Sequence, residues 1–168
     1  MFVIGSLCVF AAGAQAQGKV AVEWKCAKPA VVHTLDTGDQ PGHTYGISQF
    51  KCAATKGQIE GVAQKEGAGT EFAEGMGNNV KMHGVFVETL ASVDRIHYTY
   101  EGAATVRGNQ MVTGTDKWTV VNGTGKFKGA KGEGTCKGKG SADGSSNWVC
   151  EGTIQLAGGA AAKAPAKK

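Results

Sequence analysis

The chain has 168 residues, enough for one domain with a substantial core, and it carries a formal net charge of +4. Three of its lysines lie in segment 157–168, so the rest of the chain is close to neutral and has no basic stripe of the kind that nucleic-acid-binding domains carry. Only 19% of the residues are charged, whereas 27 are glycine. Because aromatic and β-branched residues are spread evenly among those glycines, the composition excludes a disordered chain and favours tightly turned β-sheets.

The N-terminal segment has the pattern of a cleavable signal peptide. Residues 4–10 form a short apolar run, and Ala14-Gln15-Ala16 supplies the small residues that signal peptidase accepts. The run is too short to cross a bilayer as a helix, so no membrane span is expected. Residues 1–16 are therefore predicted to direct export and to be removed, which places the mature protein in the periplasm or outside the cell.

Period-two alternation of apolar and polar residues recurs along the rest of the chain and predicts β-strands, whereas no segment sustains a helical period. In the clearest run, residues 94–107, Ile96, Tyr98 and Tyr100 share one face and His97 lies on the other. In chain order, the predicted strands are residues 20–26, 45–55, 58–65, 80–89, 94–107, 111–121, 131–138 and 147–156. About eight strands joined mostly by short turns are typical of an up-and-down barrel or a sandwich.

Two segments are predicted to lie outside the regular sheet. Glu66, Glu71 and Glu74 occur among small residues in segment 65–74, which is expected to be a solvated loop. Residues 157–168 contain no apolar side chain larger than alanine and are expected to form a disordered cationic tail. The folded β-domain is accordingly predicted to cover residues 17–156.

The cysteines that follow the signal peptide predict two disulfides. Cys136 and Cys150 lie at nearly equal distances from the Asp143-Gly144 turn, so a hairpin would place them opposite one another. Cys26 and Cys52 flank a loop rich in turn residues at 37–42. The pairing Cys26–Cys52 and Cys136–Cys150 is one of three that four cysteines allow. No Cys-x-x-Cys motif is present, which argues against a thioredoxin-type redox site or a zinc knuckle.

One stretch carries a family resemblance. Residues 118–135 read Trp118-Thr-Val-Val-Asn-Gly-Thr-Gly-Lys-Phe-Lys-Gly-Ala-Lys-Gly-Glu-Gly-Thr135. This segment resembles a signature of the allene oxide cyclase barrel-like superfamily, which includes the dirigent proteins. The signature is Gly-Thr-Gly-Lys-Phe-x-Gly-x-x-Gly-x-Gly, with a strand on either side. The pieces at 38–43, 83–84 and 98–102 resemble an uncharacterised exported bacterial branch of this superfamily. The resemblance implies a small, closed antiparallel barrel of about eight strands. Its apolar interior would hold one small molecule and need no cofactor. No catalytic set of the superfamily maps onto this chain, so no activity is carried over.

Two residues are candidates for acid–base chemistry. Glu88 follows Met82 and Phe86 on one strand face, and a carboxyl group projecting into a cavity from there would have a raised pKa. The simpler expectation for Glu88 is a solvated position at the strand end. His43 is expected to hydrogen-bond Asp39 and pin the loop at 37–42, a structural role as well supported as a catalytic one. The four histidines lack ligand spacing, so no metal site is expected.

Aromatic residues supply the candidate ligand-binding surface. Phe86, Tyr98, Tyr100 and Trp118 are predicted to point into the barrel, where they either fill it or line a pocket. Two functional hypotheses follow, and the sequence does not decide whether the protein is an enzyme. In the first, the barrel binds a small apolar or aromatic molecule, and isomerisation of that molecule without a cofactor is an extension of this hypothesis. In the second, a filled barrel serves as a non-enzymatic structural or interaction protein that assembles through its outer face into a homo-oligomer.

Overall fold

The computed structural model describes residues 18–108 and 110–157. The predicted signal peptide, and the predicted tail beyond Ala157, lie outside these residues. The described residues form nine strands and one short 3-10 turn. They are β1 (Gly18–Cys26), β2 (Val31–Asp36), β3 (His43–Ile59), β4 (Val62–Met76), β5 (Asn79–Leu90), β6 (Arg95–Arg107), β7 (Gln110–Gly123), the 3-10 turn Gly125–Phe127, β8 (Lys131–Gly140) and β9 (Ser146–Gln155).

All strand pairings are antiparallel, and the sheet closes on itself. Neighbouring strands follow the order β1-β9-β8-β7-β6-β5-β4-β3-β2, with a further pairing between β1 and β3. Strand β3 pairs with β2 through residues 44–49 and with β1 through residues 52–57. Because β1 and β2 share one position beside β3, the nine strands form the closed eight-stranded barrel that was predicted.

The hairpin registers explain both disulfides. Cys26 lies directly opposite Cys52 in the β1–β3 ladder, and Cys136 lies directly opposite Cys150 in the β8–β9 ladder. Both pairs are bonded, which confirms the predicted pairing. Directly opposite positions of antiparallel strands are close enough for this bond, so a correct hairpin register is sufficient to form it.

Strand prediction was wrong in segment 58–76. The predicted strand 58–65 contains a tight hairpin instead, because Glu60 and Gly61 adopt positive φ values of 50° and 78° between β3 and β4. The predicted solvated loop at 65–74 is the main part of strand β4. Its alternation is hidden in the sequence because several inward positions are glycine or alanine. Strand β2 was missed because all six of its residues are exposed and show no alternation.

One end of the barrel, here named the closed end, is plugged by apolar side chains. Phe127, from the glycine-rich signature loop, has 0% exposure and joins the buried core at that end. Four further side chains with 0% exposure come from strand ends there, namely Ile59, Leu90, Ile96 and Ile154. Burying each such side chain stabilises the fold by roughly 1.5–3 kcal/mol relative to leaving it in water. The opposite end, bounded by loop 37–42 and turns 77–78 and 141–145, is named the mouth.

Interior aromatic rings lie against glycines, which accounts for part of the high glycine content. The ring of Trp118 covers Gly134 and Gly152 so closely that a Cβ at either glycine would overlap it. Phe86 covers Gly67 in the same way. Rings from alternate strands can therefore fill the barrel because the strands beside them present no side chain.

Candidate functional site

A polar cluster lies inside the barrel between the aromatic layer and the mouth. Strand alternation turns Glu71 of β4, Tyr100 of β6 and Asp116 of β7 inward, and all three are half-buried. Trp118, two residues beyond Asp116 on the same face, lies opposite Tyr100 in the β6–β7 ladder. These four residues are named the interior cluster.

Tyr100 contacts Glu71 by passing over Gly84, which has no side chain. Gly84 of β5 lies directly opposite Tyr100, and a Cβ there would be only 2.7 Å from the phenol oxygen. The Tyr100 hydroxyl therefore passes over β5 and donates a hydrogen bond to Glu71 Oε2 at 3.1 Å. Burial raises the pKa of Glu71, although this hydrogen bond and His83 on the outside of β5 partly oppose the shift. Burial and the neighbouring carboxylate also raise the pKa of Tyr100.

Asp116 has an interior carboxyl oxygen with no hydrogen-bond partner, Oδ1. Burial, followed by the charge of Glu71, raises the pKa of Asp116 to about 6. The protonation state of this carboxyl group therefore changes close to neutral pH, where proton transfer to or from a ligand is easiest.

A second carboxyl–phenol pair lies deeper, towards the closed end. Tyr98 donates a hydrogen bond of 2.6 Å to Glu88 Oε2, and Glu88 is only 1% exposed. Burial raises the pKa of Glu88, while hydrogen bonds from Tyr98 and Gln64 oppose the shift. Glu88 Oε1 and Gln64 Oε1 are both buried without a partner. The expectation that Glu88 is solvated is wrong, because β5 continues to Leu90 and keeps residue 88 inside the barrel.

The structure brings the four predicted aromatic residues together inside the barrel. Tyr98 packs edge-on against Trp118, with ring centroids 5.5 Å apart, and lies 6.3 Å from Phe86. Tyr100 occupies the same inner face two residues further along β6. Their role in binding a ligand stays a prediction.

His43 lies away from the interior, where it holds the loop at 37–42. Its Nδ1 lies 2.7 and 2.9 Å from the two carboxylate oxygens of Asp39, which confirms the predicted contact. Its Nε2 is 3.3 Å from Glu74 Oε1 on β4, a distance suited to an ion pair but without hydrogen-bond geometry. The hydrogen bond to Asp39 is the main cause that raises the pKa of His43. His43 thus fastens the loop to the barrel wall and does not join the interior cluster.

Sequence reasoning missed Glu71 and Asp116. Glu71 was assigned to a loop, and Asp116 is flanked by the polar residues Thr115 and Lys117. A usable signal was present for Asp116, because a residue two positions before an inward tryptophan must share its face in a strand.

Two shallow grooves of about 900 and 970 Å³ lie outside the barrel, between rows of outward side chains, and Phe72, His83, Glu101 and Lys117 border both. Side chains fill most of the barrel itself. Towards the mouth, several inward residues around the interior cluster are small, and they include Gly46, Ala73, Gly75, Gly102 and Ala104. Met82, Met111 and Trp148 are the large side chains that share this half of the barrel.

Two absences are established for residues 18–108 and 110–157. No helix there is long and apolar enough to cross a membrane. No three His, Cys, Asp or Glu side chains in that part of the chain are grouped so that they could hold a metal ion.

Comparison with known proteins supports the fold. No protein-family model and no curated protein sequence matches this chain. Among solved structures, the pterocarpan synthase dirigent protein is similar with a TM-score of 0.50 and 10% identity, over 92% of this chain and 97% of that one. Pyocyanin demethylase is similar with a TM-score of 0.43 and 16% identity, over 79% of this chain and 99% of that one. The likeness to the dirigent protein shows that the chain shares its barrel fold, as the glycine-rich signature predicted. Membership of an exported bacterial branch stays a prediction.

Proposed function

We propose that this protein binds a small molecule with an apolar or aromatic body in the mouth-side half of its barrel. The observation that carries the proposal is a pair of buried polar atoms in the interior cluster that have no hydrogen-bond partner, Asp116 Oδ1 and Trp118 Nε1. A buried polar atom left unpaired costs roughly 1–3 kcal/mol. A ligand entering beside the small residues at the mouth would supply partners at the interior cluster.

The chemistry of the interior cluster supports an extension to catalysis without a cofactor. Asp116, with a pKa of about 6, can take up or release a proton near neutral pH, and the Tyr100–Glu71 pair lies on the same inner face. Proton transfer between two positions of one bound molecule is an isomerisation and needs no further reagent. The similar dirigent barrel is named as a pterocarpan synthase, but a shared fold does not transfer an activity, so the proposal rests on the interior cluster of this chain.

A second candidate function, a structural or interaction protein, is favoured by different observations. The rings packed on glycines leave little space in the middle of the barrel. On the outside, Ile47, Phe72 and Val85 are exposed on neighbouring strands, a pattern that suits contact with a further copy of the chain. This alternative requires no ligand.

The proposed site of action is an oxidising compartment. Two structural disulfides fit the periplasm or the exterior, where such bonds persist. Export is checked by intact mass spectrometry of the protein recovered from the periplasm or medium, since cleavage after Ala16 gives a mature chain that begins at Gln17. A cytoplasmic protein that keeps residues 1–16 and has all five cysteines as free thiols would contradict this part of the proposal.

Native mass spectrometry of the exported protein distinguishes the two functions. A co-purifying mass that is lost on denaturation, and is absent from the double variant Glu71→Gln/Asp116→Asn, supports binding at the interior cluster. The matched control is Glu101→Gln/Glu133→Gln, which removes two exposed carboxylates from the outer face and should keep the mass. If the wild type carries no such mass and shows no thermal shift with phenolic or fatty-acid compounds, the filled structural barrel is the better account.

A further inference from the structure

The barrel interior contains acidic groups but no basic ones. Glu71, Glu88 and Asp116 all face inward. Every lysine and arginine among residues 18–108 and 110–157 is exposed. His83 lies on the outer face of β5, and His43 is held outside by Asp39. Nothing on the inner face of this part of the chain therefore neutralises an ionised carboxylate.

The unpartnered atoms of the interior cluster lie on Asp116 and Trp118. Asp116 Oδ1 is buried and lacks a hydrogen-bond donor, and Trp118 Nε1 is buried and lacks an acceptor. An occupant of the cluster must therefore bring a donor to the Asp116 carboxyl group.

We infer that the ligand carries a positive charge, as an aromatic or apolar ammonium or a cationic nitrogen heterocycle bound at Glu71 and Asp116. This inference rests on the proposed binding function and specifies its ligand class. The apolar body packs against the rings of Tyr100 and Trp118, whose faces also attract a cation. A cation bound there supplies the charge that the inner face lacks and the donor that Asp116 Oδ1 lacks.

Three probes with one ring system test the inference. Tryptamine, tryptophol and indole-3-acetate share an indole body and differ in carrying a positive, neutral or negative group. Isothermal titration at pH 8 should show tryptamine binding at least about tenfold more tightly than tryptophol, since one charge-assisted hydrogen bond exceeds a neutral one by roughly 1.4 kcal/mol. Indole-3-acetate should bind most weakly, because its charge repels the interior carboxylates.

The pH dependence separates this inference from one in which neutral carboxyl groups donate to a ligand. The ammonium of tryptamine, like that of lysine, stays protonated up to roughly pH 9. The affinity of the protein for tryptamine should therefore rise as Asp116 ionises near pH 6. The other titratable groups that face the interior from the neighbouring strands are Glu71, Glu88, Tyr98 and Tyr100. Affinity for a ligand that accepts a proton or hydrogen bond from Asp116 would instead fall over that range.

Site variants complete the test. Asp116→Asn and Glu71→Gln should each weaken tryptamine binding about tenfold or more and leave tryptophol within about twofold, whereas Glu101→Gln on the outer face should change neither. Equal or tighter binding of tryptophol would overturn the cation inference and leave the proposed function standing. Binding by none of the three probes would overturn the cation inference, and the proposed function would then be decided by the native mass spectrum alone. Tryptamine binding that survives both interior variants would place it on the surface and also overturn the inference.

Discussion

Replacing Asp116 with asparagine should make the ligand-free protein more stable at neutral pH. The pKa of Asp116 rises from 3.8 to about 6 in the folded state, so folding favours the protonated carboxyl group. Well below pH 3.8 the group is protonated in both the folded and unfolded states and contributes no difference. As the pH rises towards 6, the unfolded chain ionises first, and the free energy of unfolding decreases until the folded state also loses its proton.

The size of this effect follows from the two pKa values. A difference of about two pKa units corresponds to roughly 3 kcal/mol at 1.36 kcal/mol per unit. Asparagine keeps the shape of the side chain and cannot ionise. The variant should therefore match the wild type near pH 3.5 and exceed it by up to about 3 kcal/mol at pH 8, reduced by whatever the amide donors cost if they stay unpaired.

Urea denaturation followed by tryptophan fluorescence, at half-unit steps from pH 3.5 to 8, measures the difference directly. Glu101→Gln is the matched control, because it removes one negative charge from the exposed face of the neighbouring strand β6. Two results would refute the reasoning. The first is a variant that loses stability at pH 8. The second is a wild type–variant difference that does not change between pH 3.5 and 6.5.

Three further predictions concern the packing of the barrel. Gly134→Ala should destabilise the fold by roughly 1–3 kcal/mol in the same urea titration, because its Cβ overlaps a buried ring and a backbone carbonyl. Gly46→Ala is the control and should be neutral, because the nearest atom to its Cβ would be 3.5 Å away. Tyr98→Phe removes the buried donor of the deeper carboxyl pair and should cost roughly 1–3 kcal/mol, against under about 0.5 kcal/mol for the exposed Tyr45→Phe. Replacing the Cys26–Cys52 bridge by two alanines should lower the stability by about 3–4 kcal/mol, and a loss below about 1 kcal/mol would show that this bridge does not constrain the unfolded chain.

Local pattern was enough to predict most of the barrel. The alternation around Tyr98 and Tyr100 is visible because each inward residue is large and each outward neighbour is polar. The disulfides followed from the same logic, since a hairpin register places Cys136 opposite Cys150 whatever the rest of the sheet does. Sequence pattern therefore predicts structure well where one face of a strand is both apolar and bulky.

The interior cluster was not predictable in the same way, because its signal depends on packing between strands. In β4, the inward positions Gly67 and Gly69 are small so that rings from neighbouring strands can cover them, and this removes the alternation that would have shown Glu71 facing inward. Glu71 and Asp116 also come from β4 and β7, which are not adjacent in the sheet. The registers of the three ladders from β4 to β7 place the two carboxyl groups on one inner surface.

The three interior carboxyl groups affect both the stability of the fold and the binding of a ligand, so measurements of one help to interpret the other. A barrel that only had to maintain its own shape would gain stability from amides or apolar side chains at Glu71, Glu88 and Asp116, because burial raises the pKa of each carboxyl group. Local rules of packing are broken most often where a protein binds or reacts. If Asp116→Asn is more stable and no longer binds a cation, the carboxyl group serves the ligand at a cost to the fold. If the variant is more stable and the wild type binds nothing, the filled barrel accounts for the structure and the carboxyl groups have no explanation in binding.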